Sequence, residues 1–283
     1  HWDLACVFAL ASRGEYDLRG ILLDHPPNPA YGSPAVHSIA QMSYLTGIPV
    51  PVCVGSEQHI DSTAEPTLAD TKRIEWVLDT LRSCAEPVVI HVVGSCRDIA
   101  KAGKRDPMLF EQKCKGIYLN AGTGTNDPFL RSKLEYNVAL EPEAYRATFD
   151  IPCPIYWMPC FEEISDKRHF ECMEYGTYYR FTQREILKDV APHMQQFFLY
   201  MLERSSDRRW LSYLKKPIDP SLYSHFGSLA RNMWCTTGFL HAAGHGVKTD
   251  GGLYPLIDGS DDAVCEFVPV DVRCNARGET QWT

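Results

Sequence analysis

The chain has 283 residues, 45% hydrophobic and 23% charged, with a formal net charge of -8. That is ordinary globular composition with enough length for a large core. The acidic balance and the lack of a long Lys/Arg run exclude a nucleic-acid footprint, and no apolar run approaches the ~18 residues of a membrane span.

The first segment, WDLACVFALAS at 2–12, predicts a helix that ends at Arg13-Gly14. Asp3 is read as a helix-start residue, its carboxylate favoured by the N-terminal dipole. A buried strand is expected over 18–23, opening into the loop Asp24-His25-Pro26-Pro27-Asn28. A parallel α/β sheet normally starts with a strand, so the reading expects a first strand upstream of His1. Ser33 and Pro34 start a helix over 34–46. PVPVCVG at 49–55 reads as a strand, and 69–83 as a helix with Ile74, Val77, Leu78 and Leu81 on one face. PVVIHVVG at 87–94 reads as a strand buried on both faces. Helices over 96–103 and 106–114, GIYLNAG at 116–122, a helix at 141–149 and a strand at 153–160 follow. Repeated strand–helix units imply parallel strands with right-handed crossovers. Beyond 160 the pattern turns helical and aromatic, with helices expected at 182–190, 192–205, 207–214 and 227–243. CEFVPVDVRC and the turn Asn275–Gly278 predict a terminal β-hairpin. With no linker or repeat, the reading is one α/β domain over 1–283.

In open α/β sheets, ligands bind outside the carboxyl ends of the strands. Asp24, His25 and Asn28 therefore carry acid–base, metal-binding and hydrogen-bonding groups to the right edge. Asp24 reads as a ligand contact or as a turn former. The eleven cysteines are widely spaced without CxxC, which points to reduced thiols in a cytoplasmic protein rather than zinc or a disulfide framework. His241 and His245 in HAAGH share one face if helical, as a metal pair, but Gly244 and Gly246 suggest that the helix stops there. GTGTND at 122–127 lacks phosphate-loop spacing, and Ser95 is in no GxSxG elbow. Tyr175, Tyr178, Tyr179 and Phe181 read as core or interface, and the aromatic-rich 155–200 region is a candidate homo-oligomer surface.

Residues 134–150, LEYNVALEPEAYRATFD, carry the sharpest signal. Glu135, Tyr136 and Asn137, followed by Glu141-Pro142-Glu143-Ala144, resemble the sugar-binding block of the inosine/uridine-preferring nucleoside hydrolases. The resemblance runs in order over about 2–160, including VVIHVVGSCRDIAKAGKRDP at 88–107. It implies an α/β fold with a mostly parallel central sheet and helices on both faces. It further implies hydrolysis of the N-glycosidic bond of a nucleoside or related ribosyl compound by metal-activated water. In that family the matching Glu and Asn bind ribose hydroxyls, which here are Glu135 and Asn137; the other readings are a surface residue and a loop cap. Asn120 matches a sugar-lining position, and the His25-to-Asn28 loop another ribose contact, with the family's Asn falling on Pro27 or Asn28.

The resemblance also implies a calcium ion. Its turn ligand, a backbone carbonyl, falls on Arg97, whose cationic side chain departs from the family pattern. Arg97 and Asp98 otherwise read as helix caps. The last calcium ligand, an Asp, has only Asn232 near its position, beside Trp234, which stacks on a base or joins the core. The family's DxDxxxDD is not in this sequence, and counting back from Ala9-Leu10 places it at or before His1, with the catalytic base. The rival readings are a non-catalytic nucleoside- or carbohydrate-binding protein and a hydrolase of another glycoside or amide.

Overall fold

A computed structural model describes residues 1–24, 34–160, 178–202 and 209–283. In chain order the elements are α1 (Trp2–Ser12), β1 (Ile21–Leu23), α2 (Pro34–Thr46), β2 (Val52–Val54), α3 (Leu68–Ser83), β3 (Val88–Val92), α4 (Arg97–Arg105), α5 (Pro107–Lys113) and β4 (Cys114–Asn120). There follow α6 (Pro128–Arg131), α7 (Tyr136–Leu140), α8 (Pro142–Thr148), β5 (Ile155–Met158), β6 (Tyr179–Thr182), α9 (Gln183–Leu187), α10 (Pro192–Leu202), α11 (Trp210–Tyr213) and α12 (Pro220–Ser228). The last are β7 (Ala230–Met233), α13 (Thr236–Ala242), β8 (His245–Val247), β9 (Leu253–Pro255), β10 (Val272–Cys274) and β11 (Thr280–Trp282). Among the described residues no helix is long and apolar enough to cross a membrane.

The chain divides into two compact units. The first comprises His1–Val52 and Tyr178–Thr236, the second Cys53–Thr177 and Thr237–Thr283.

The first unit is mainly helical. Its core joins Trp2 and Phe8 of α1, Ile39 and Met42 of α2, and Phe197, Phe198 and Leu199 of α10. The Trp2 ring stacks on Phe198 at 4.0 Å, and its indole N–H donates to Gln183 Oε1 at 2.6 Å, so the buried ring leaves no polar orphan. Gly14, at φ 76°, takes the left-handed conformation that ends α1. β6 and β7 pair antiparallel, Arg180 facing Asn232, and Tyr179 and Phe181 pack on the core.

The second unit carries β3, β4 and β5 as one parallel three-stranded sheet in that order. On α3, Thr67 caps the N-terminus, and the expected face of Ile74, Val77, Leu78 and Leu81 is buried. His91, Tyr118 and Tyr156 lie in register across the three strands, with ring centroids 5.0 and 4.5 Å apart. His241 of α13 meets this row, with Tyr118 Oη 2.6 Å from its Nδ1. β8 and β9 form a hairpin, and β10 and β11 form the expected terminal one.

Several expectations need correction. Among the described residues the parallel sheet comprises β3, β4 and β5, and β1 and β2 pair in a two-stranded sheet. Pro49 and Pro51 have no N–H to give a ladder, and β2 shrinks to three residues. β3 is an edge strand, so of its residues only Val92 is fully buried. The helix expected over 227–243 forms only over Thr236–Ala242, as α13. Asp219 caps α12 at Pro220, the chain leaves the helix at Leu229, and 230–233 pairs with β6 as strand. His241 therefore ends a helix while His245 opens a strand, so the two do not share a helical face. His25, Pro27, Asn28 and Tyr175 lie outside the described residues.

Burial pushes the His91 imidazole down to about 4 and lowers His241 as well. The neutral His91 ring contributes fully above the unfolded value near 6.5, and its contribution is lost as pH falls toward about 4. Thermal melts across that window should show destabilisation rising to about 3 kcal/mol, with a shallower pH dependence in His91→Phe. Identical pH profiles for the two proteins would refute this assignment.

Candidate functional site

β4 leaves the sheet at Asn120 and enters a buried turn, Ala121–Gly124. The side chain of Asn120 is buried and donates to the Met158 carbonyl at 3.1 Å, tying the carboxyl ends of β4 and β5. Asn137, half-buried on α7, donates to the Asn120 carbonyl at 2.9 Å. Glu135 is 5% exposed, so it is not a surface residue. Its Oε2 accepts from the Gly122 amide at 3.1 Å and the Val138 amide at 3.3 Å. One carboxylate thus both caps α7 and holds the turn after β4. Gly122 sits at φ 83°, and a Cβ there would meet Tyr145 Oη at 2.2 Å, so no other residue fits. Asn120, Glu135 and Asn137 therefore converge where β4 ends.

The GTGTND segment is this turn and its continuation. Trp282 of β11 donates its indole N–H to the Gly124 carbonyl at 2.7 Å, and Asn126 donates to the Trp282 carbonyl at 3.1 Å. Asp127 caps α6. The terminal hairpin thereby pins the turn.

A second polar cluster surrounds Arg97. Its guanidinium pairs with buried Glu141 through Nε. Another nitrogen donates to the carbonyls of Ser56 at 2.9 Å and Glu57 at 3.1 Å. Asp98 accepts from the Ser56 amide at 2.8 Å. Neither residue caps α4, contrary to one sequence reading: both side chains staple the 56–60 loop. Asp70 accepts from the amides of Glu57 and Gln58, and Lys101 donates to the Gln58 carbonyl. Burial pushes the Asp98 carboxyl above its ordinary range, against the pull of the Ser56 hydrogen bonds. Burial also raises Asp70, but the Glu57 and Gln58 amides and Arg73 outweigh it and leave the carboxyl below its ordinary range.

The remaining expected residues lie in the first unit. Asp24 follows β1 and is half-buried. Asn232 lies within β7, and the Trp234 ring is 4.6 Å from that of Tyr178. Two grooves of the second unit, of about 270 and 330 Å³, run beside Lys104, and neither is lined by Asn120, Glu135 or Asn137.

The chain matches no protein-family model. No curated protein matches it either. Solved structures do. An inosine-uridine preferring nucleoside hydrolase from Bacillus anthracis is 16% identical over 80% of this chain and 76% of its own, with a TM-score of 0.47. An inosine-guanosine nucleoside hydrolase is 13% identical over 85% of this chain and 74% of its own, also at 0.47.

The resemblance assigned calcium to Arg97, in the second unit, and to Asn232, in the first. The Arg97 carbonyl and the Asn232 amide supply no carboxylate, whereas calcium takes about six to eight oxygen ligands, commonly including Asp and Glu. The carboxylate that Arg97 does meet, Glu141, is neutralised by its guanidinium. Among the described residues one trio has metal-ligand chemistry, His59, Asp61 and Glu141, with ligand atoms within 4.8 Å of one another. Arg97 stands 3.4 Å from His59 Nδ1 and already holds Glu141, so a divalent ion there would be opposed by a fixed cation.

The Arg97–Glu141 pair was not legible in the sequence, being 44 residues apart. Breaking it from one side leaves a buried charge, and Arg97→Met should cost about 3–5 kcal/mol in urea unfolding. Arg97→Met with Glu141→Leu should recover most of that loss. A single variant as stable as the parent would show that the pair does not hold the loop.

Proposed function

We propose that the carboxyl end of β4 binds the sugar of a nucleoside or related ribosyl compound, and that the protein hydrolyses its N-glycosidic bond. The observation that carries this reading is the convergence of Asn120, Glu135 and Asn137 on one turn. A sugar offers several hydroxyls, each both donor and acceptor. Recognition therefore needs fixed carboxylate and amide groups at one place, which Glu and Asn supply. Their order in the sequence, within the Glu-Tyr-Asn block and before Glu-Pro-Glu-Ala, gives the same reading.

In this account Glu135 accepts from a ribose hydroxyl, and the Asn137 amide fixes the neighbouring one. The Gly122 and Val138 amides hold the Glu135 carboxylate in place, so it does not have to reorganise as charge develops. Cleavage passes through an oxocarbenium-like state, and a buried carboxylate near the ring favours that positive charge. Asn120 acts through Asn137 and the β5 end as a positioning residue.

A second reading, binding without hydrolysis, is favoured by Arg97. The cation beside Glu141 is supplied by the chain itself and neutralises a carboxylate that metal chemistry would use.

Ribose release from a nucleoside panel, measured beside calorimetric binding, separates the two. The hydrolase reading expects release that falls about 10- to 100-fold in Glu135→Gln, the worth of a hydrogen bond to a charged group. Melting of the variant accounts separately for the lost cap, about 1 kcal/mol. Binding without release would select the second reading. Neither binding nor release would overturn both.

A further inference from the structure

The amino end of the sheet carries a feature unrelated to the sugar reading. Cys114 opens β4 and is buried. Cys153 precedes β5 and is half-buried between the exposed Pro152 and Pro154. β4 and β5 are hydrogen-bonded parallel neighbours, with Ile117 facing Ile155. The two cysteines lie three and two residues before that pair. Adjacent strands run about 4.8 Å apart, inside the Cα separations that a disulfide spans. A register irregularity between Val88 and Val89 of β3 sets Lys115 outside the ladder, which turns Cys114 relative to a regular strand. That turn brings Cys114 toward Cys153, and the two thiols are close enough for each to shift the titration of the other.

We propose that Cys114 and Cys153 are a redox-responsive dithiol that closes to a disulfide when the protein meets a low-molecular-weight disulfide such as oxidised glutathione. The division of labour follows from exposure. Cys153 is reachable, and the neighbouring Cys114 thiol holds the Cys153 thiol below the ordinary range, against the opposing effect of burial. Cys114 is enclosed and keeps its proton, because a thiolate there would face the Cys153 sulfur and lose its hydration. A low-pKa accessible cysteine beside a resolving one is the arrangement redox sensors use.

The chemistry balances without any further reactant. The Cys153 thiolate attacks one sulfur of oxidised glutathione and forms a mixed disulfide, and one glutathione leaves as thiolate. Cys114 then loses its proton and attacks Cys153 Sγ, and the second glutathione leaves. Two protein thiols are oxidised, one glutathione disulfide is reduced to two thiols, and both protons pass to solvent or to the departing thiolates. The cross-link closes the chain from β4 through α8 into a ring. Its expected effect is on stability, through restriction of the unfolded state.

The test is an equilibrium titration of the full chain with reduced and oxidised glutathione, followed by alkylation, intact mass and peptide mapping. The parent should lose two hydrogens, yield a Cys114–Cys153 linked peptide, and melt at a higher temperature when oxidised. Cys114→Ser should instead accumulate the glutathione adduct at Cys153, and Cys153→Ser should give neither product, with far-UV circular dichroism confirming that both variants are folded. Should either variant be unfolded, the parent's own peptide map decides. A persistent adduct in the parent, a different cysteine pair, or no reaction at excess oxidised glutathione would overturn the proposal.

Discussion

A carboxylate taken out of water must be given donors or a cation, and the second unit is organised by how it meets that demand twice. Glu135 is satisfied by two backbone amides, one from the turn after β4 and one from α7. Glu141 is satisfied by Arg97, which also gathers the Ser56 and Glu57 carbonyls. Glu135 thereby ties the turn after β4 to α7. The Arg97–Glu141 pair ties α4 to the 56–60 loop and to the start of α8.

The turn after β4 has little room for change. Gly122 is hemmed by Tyr145, its amide serves Glu135, and its carbonyl accepts from Cys160 at 2.7 Å. From the other end of the chain, Trp282 and Asn126 hold the same turn. Polar groups placed this way are set before a ligand arrives, which lowers the ordering cost of binding.

Much of this was readable in advance, and the failures have physical reasons. The buried face of α3 follows from helical spacing alone. The terminal hairpin follows from alternation around a Gly-containing turn. The Glu135 block was conspicuous in sequence, but a helix cap and a sugar ligand both call for a carboxylate, so spacing could not separate the two roles. Arg97 was marked as a departure, yet its partners in the 56–60 loop and Glu141 are distant in sequence and only the fold brings them together. The helix expected over 227–243 is split, because Asp219-Pro220 starts α12 early and 230–233 pairs with β6 before α13 begins at Thr236. The Cys114–Cys153 contact depends on an irregularity in the ladder, which no pattern of residue types announces.

The most direct test of the sugar-binding account observes the amides themselves. In a nuclear magnetic resonance titration of the side-chain amides with inosine or ribose, the account predicts a saturable shift of the Asn137 resonances and of the Gly122 backbone amide, with the Lys101 and Gln58 region unmoved. Saturable binding that shifts the Lys101 region and leaves Asn137 and Gly122 in place, or no shift at all, would contradict it.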